Sequence, residues 1–97
     1  MGKTTAARNA IGPLLDQLIL QLDGEGSMTQ RRHFARIRRS LDLARSEWDL
    51  ERPMLALSTS TAYGFKFSND ADALVTRIIE KLEALEAEHA AGPTALH

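Results

Sequence analysis

The chain has 97 residues, 43% of them hydrophobic and 26% charged, with no cysteine and a formal net charge of −1. That length supports one modest core, a single domain over 1–97, and the composition is that of a folded globular protein. The missing thiols exclude a disulfide framework, thiolate metal sites and cysteine nucleophiles, with the cytoplasm as the expected compartment; no apolar run approaches the roughly 20 residues of a membrane span.

The layout of charge says more than its sum. Residues 31–52 hold seven arginines against four acids, whereas residues 68–97 hold two basic side chains against six acids. A basic middle therefore precedes an acidic C-terminal third.

In chain order, residues 1–11 are helix-compatible but expected to fray. Gly12-Pro13 is expected to interrupt them, because proline lacks the amide donor and restricts the residue before it. A firm helix should begin at Pro13, with Leu14, Leu15, Leu18, Ile19 and Leu22 forming a broad apolar face. Asp23-Gly24-Glu25-Gly26 reads as a loop.

Ser27 and Gln30 fit a capping box, in which each side chain satisfies a free amide at the helix start. The following helix is expected to run as far as Leu50, with Phe34, Ile37, Leu41, Ala44 and Trp48 on one buried seam. Arg32, Arg36 and Arg39 fall roughly opposite, and Arg31, Arg38 and Arg45 run along the border of the seam. Leu43 and Leu50 project from the Arg32/Arg39 side. A helix apolar on two faces is either central in a bundle or has a partner, so a homodimer is expected, with Leu43, Leu50 and Met54 at its interface.

Pro53 should kink or end that helix. Residues 54–63 read as a short helical piece closed at Gly64 and weakened by Ser58-Thr59-Ser60-Thr61. Phe65 and Phe67 belong to a short connector whose aromatics plug the bundle end. Ser68, Asn69 and Asp70 offer caps for a last helix, with Ala71, Val75, Ile78, Leu82, Leu85 and His89 on its seam. Gly92-Pro93 stops it, and the tail is expected to fray. The expected fold class is all-α, a small three- to four-helix bundle, dimeric.

Few motifs carry chemistry. Gly2-Lys3-Thr4-Thr5 matches only the tail of a phosphate-binding loop and lacks the earlier glycine and the strand that feeds it. His33, His89 and His97 share no ligand spacing. Asp70 and Asp72 are two apart and suit helix capping, and the Ser/Thr run has no histidine base in its sequence context. Neither a catalytic site nor a cofactor or metal site is expected.

The sharpest feature is the cluster Arg31, Arg32, Arg36, Arg38 and Arg39. It could contact a partner or a phosphate backbone. Slightly acidic overall charge and aromatics expected inside the seam weigh against the phosphate backbone and favour a solvated face or an ion-paired dimer surface. The leading expectation is a non-enzymatic protein-protein interaction module, acting as a regulator, adaptor or small inhibitor of phage or plasmid type. The alternative is a nucleic-acid-binding regulator that uses the arginines of 31–39.

Overall fold

A computed structural model describes residues 3–91. Apart from short links these residues are helical, and no strand occurs among them: α1 (Lys3–Glu25), α2 (Met28–Leu43), α3 (Glu47–Thr59), a 3₁₀ turn (Ser60–Tyr63) and α4 (Asn69–Ala91). The first helix starts at least ten residues before Pro13 and passes through it, contrary to the expected interruption. Ala7, Ile11, Leu14, Leu15, Leu18 and Leu22 keep one side buried across the proline, while Pro13 itself faces solvent. Continuous burial, at about 1.5–3 kcal/mol for each large aliphatic side chain, outweighs one lost backbone bond on the wet side. Residues 3–11 are thus the packed first turns of α1 rather than a frayed end; Met1, Gly2 and the tail 92–97 lie outside the described residues.

A Schellman turn closes α1. Gly26, at φ 74°, lets its amide donate to the Asp23 carbonyl (3.1 Å) while the Ser27 amide donates to the Leu22 carbonyl (3.0 Å). That arrangement explains why the capping box between Ser27 and Gln30 does not form. The Ser27 amide is already committed to α1, its side chain makes no cap bond, and Gln30 Nε2 donates instead to the Lys66 carbonyl at 3.0 Å.

The largest departure from expectation is the corner at residues 44–46, where one long helix was expected and two are found. Ala44 leaves the helix with extended geometry, and Ser46 caps α3, its Oγ accepting from the Asp49 amide at 3.4 Å. Asp49 Oδ2 in turn accepts from the Arg45 amide at 3.0 Å, and Glu47 and Asp49 suit the positive end of the new helix. Pro53 sits inside α3 and does not end it.

The core lies on α1, which packs against α2 on one side and α4 on the other, while α3 leans chiefly on α2. Phe34, Ile37 and Leu41 of α2, Leu50 and Leu57 of α3, and Ala71, Val75, Ile78 and Leu82 of α4 complete it. Ser58, Thr59 and Ser60 close the end of α3 by hydroxyl bonds to the carbonyls of Leu55 and Ala56, and Gly64, at φ 73°, follows the 3₁₀ turn. Ser68 starts α4, its Oγ accepting from the Ala71 amide at 3.1 Å and donating to Glu25 at the end of α1. The Ser68 hydrogen bond, and next the one from Gln21, hold the Glu25 carboxyl below its ordinary range.

Candidate functional site

Helix α2 presents three strips, and each of the five arginines singled out from sequence falls on the strip its spacing predicts. Arg31 and Arg38 border α1. Arg31 Nε lies 3.0 Å from Asp23 Oδ1, and Arg38 is held by Asp16, Nε to Oδ1 at 2.9 Å, and by Asp42 one turn along its own helix. The Arg38 side chain is only 25% exposed, and the Asp16 hydrogen bond raises its pKa above the ordinary arginine value. Arg38 is thus a hydrogen-bonded clamp between α1 and α2, while Arg31 makes a more exposed ion pair across the same seam, its Nε without a hydrogen bond.

Arg32, Arg36 and Arg39 lie on the outer strip, exposed and, among the described residues, without a carboxylate within ion-pair distance. Leu43 continues the strip at i+4 from Arg39 and is 65% exposed. Across the corner the outer face of α3 takes over with Trp48, Arg52 and Leu55, again at spacings of four and three.

The corner redistributes the apolar residues. Trp48, expected in the buried seam, is 79% exposed, because the break at Ala44 ends the helix that would have carried it inward. Leu50, expected at a partner interface, is 3% exposed and packs in the protomer core, on the same side of α3 as Pro53 and Leu57. Met54 is half-buried against that core. Of the three interface residues read from sequence, only Leu43 remains largely open to solvent.

Between α2 and α3 runs a trough made of two adjoining hollows. One, of about 420 Å³, is lined by Ser40, Leu43, Trp48, Asp49 and Arg52. The other, of about 380 Å³, shares Ser40 and Arg52 with the first and adds His33, Arg36 and Tyr63 over a floor of Ile37, Pro53 and Ala56. The trough is thus aromatic at both ends, with Arg36 and Arg52 between. A signal for it was present in sequence: Ser46-x-x-Asp49 is a helix-start pattern of the same kind as Ser27-x-x-Gln30, and reading it would have turned Trp48 outward.

The far end of the trough is an aromatic cluster. His33 stacks edgewise on Phe34, Tyr63 and Phe65, with ring centroids 4.9, 5.0 and 5.3 Å apart, and Phe67 closes the group against Phe34 and Phe65. Phe65 and Phe67 therefore fill the end of the bundle as their spacing suggests. Ser60 Oγ donates to the Ala56 carbonyl at 2.6 Å and stands 3.0 Å from His33 Nε2, which leaves the ring nitrogen to donate. Burial, and next the Arg36 charge, lower the His33 pKa.

Among the described residues no three His, Asp or Glu side chains gather as metal ligands would, and no helix is long and apolar enough to cross a membrane. The His89 side chain lies outside the described residues. Comparison with protein-family models, curated proteins and solved structures returns no match to this chain.

Proposed function

We propose that this chain is a non-enzymatic protein-docking module, an adaptor or small regulator that meets its partner with the outer face of α2 and α3. The observation that carries the reading is Trp48, 79% exposed beside Leu43, with Leu55 exposed two turns along α3 and Arg52 lining the same hollow without an ion pair among the described residues. Tryptophan and arginine are the residues that most often anchor protein interfaces. A tryptophan held in water by a well-capped helix costs the free protein hydrophobic burial that a partner restores. Self-association is one form such docking takes; Leu50, which lent weight to a homodimer in the sequence, lends none once it is packed inside.

A photo-crosslinking amino acid placed at position 48, with position 77 on α4 as control, tests this in the native host. A protein adduct at 48 and none at 77 is the expected result. Equal labelling at both positions, or none at 48, refutes the docking face.

One observation favours a second reading, in which the trough takes single-stranded nucleic acid: Trp48 and Tyr63 are exposed aromatics flanking two arginines, the parts of a base-stacking platform. Arg31 and Arg38, tied up by aspartates, contribute little to it. Gel shift at physiological salt with Arg36→Glu/Arg39→Glu as control decides between the two.

A further inference from the structure

We infer that the α2–α3 trough binds an acidic amphipathic helix of a partner protein, with two carboxylates meeting Arg36 and Arg52 and an apolar side chain seated at each end. The inference rests on the docking reading above and names the chemistry of the partner. It follows from what the trough contains. Its two cations are exposed and unpaired among the described residues, whereas the arginines on the other side of the same helix are already neutralised. Its ends, Leu43 with Trp48 and His33 with Tyr63, are apolar or aromatic.

The dimensions give the partner's spacing. Leu43 and His33 are ten residues apart on α2, about 15 Å along the helix axis. A helix lying in the groove spans that length with apolar residues at i and i+11, which fall on one face, and carboxylates at i+4 and i+7 on the same face. The segment is thus about three turns of helix, apolar at both ends and acidic in the middle.

Two other occupants fit less well. A second copy packed antiparallel through the stripe Trp48, Arg52 and Leu55 has its two-fold axis between Glu51 and Arg52, so Arg52 faces Arg52 of the other copy on one side of the axis. A phosphate backbone threaded through the trough passes Asp49, which lines the first hollow, and places a charge there. A peptide carries carboxylates only where the arginines are.

The test is selection of 15-residue peptides from a random displayed library against the full chain. Enriched peptides are then titrated by the fluorescence of Trp48, the single tryptophan. Expected are peptides with Asp or Glu at i+4 and i+7 between apolar residues at i and i+11, a blue shift of Trp48 on binding, and weaker binding at high salt. Arg36→Glu and Arg52→Glu each weaken binding about tenfold or more, the matching peptides with Lys for Glu bind the double variant, and Arg77→Glu on α4 changes nothing. Enrichment of uncharged or basic peptides that still shift Trp48 overturns the acidic partner and leaves the docking face standing. A blue shift on concentrating the chain alone does the same in favour of a second copy. If no peptide moves the emission, or single-stranded oligothymidylate alone does, both the inference and the docking reading fall.

Discussion

The two sides of α2 carry the same residue type in opposite circumstances. Toward α1, Arg31 and Arg38 meet Asp23, Asp16 and Asp42 and act as fasteners. Toward α3, Arg36 shares a trough with Arg52 and finds no carboxylate within reach among the described residues, while aromatics stand at both ends. A cluster of five arginines in sequence is therefore two ion-paired arginines and three available charges. What separates them is which neighbour the helix leans on.

The contrast can be broken most forcefully at Leu50, since the trough exists only while α3 is seated on the core. Leu50→Ala should cost about 2–4 kcal/mol in chemical denaturation, whereas Leu43→Ala and Trp48→Ala should stay within about 0.5 kcal/mol. If Leu43→Ala proves the costlier, α3 is not seated as described.

The two classes of arginine should differ next. Arg38→Ala is expected to destabilise by about 1 kcal/mol, since its side chain is three-quarters covered and holds Asp16, while Arg36→Ala and Arg39→Ala leave stability unchanged. A double-mutant cycle should give Asp16 and Arg38 a coupling of about 0.5 kcal/mol, held down by the exposure of Asp16. Equal effects of Arg36→Ala and Arg38→Ala would erase the distinction between the two sides.

A smaller effect concerns pH at the aromatic end of the trough. Because His33 has a lowered pKa in the folded chain, the unfolded chain binds the proton first as pH falls past the ordinary value of 6.5. Stability should therefore decline from there and level off below the folded pKa. His33→Gln should flatten that slope and leave the separate loss below 4.5, where the Glu25 carboxylate becomes protonated. An unchanged slope in His33→Gln assigns the titration elsewhere.

The smallest expected effect sharpens the α1–α2 side. A methyl group at Gly12 would stand 3.0–3.2 Å from the Arg38 guanidinium. In the native chain, Gly12→Ala should gain about 0.5–1 kcal/mol of helix preference and give most of it back by moving Arg38 from Asp16. In an Arg38→Ala background the gain should appear in full. The difference between the two backgrounds is the measurement.

Much of this molecule is legible in its apolar spacing. The seams of α1, of α2 as far as Leu41 and of α4 from Ala71 to Leu82 are buried as a three-four repeat requires, and so is the split of the arginines into border and outer strips. The breaks are less legible, because there a local rule competes with a neighbour. Proline at 13 reads locally as a stop, yet the helix continues because its buried side never changes, and Ser27 reads as half of a capping box although its amide closes the helix before it. The candidate site suffered most, since one missed cap at Ser46 exchanged Trp48 and Leu50 between surface and core.

Periodicity alone thus determined that the chain is all-helical, which faces are greasy and where its charge is concentrated, because those properties follow from side-chain spacing along a single helix. Only the assembled fold decided which arginines are free, which large apolar residues face water and that a trough lies between α2 and α3. Each of those outcomes depends on a second helix arriving from a distance in the chain, or on a corner of three residues that turns everything after it.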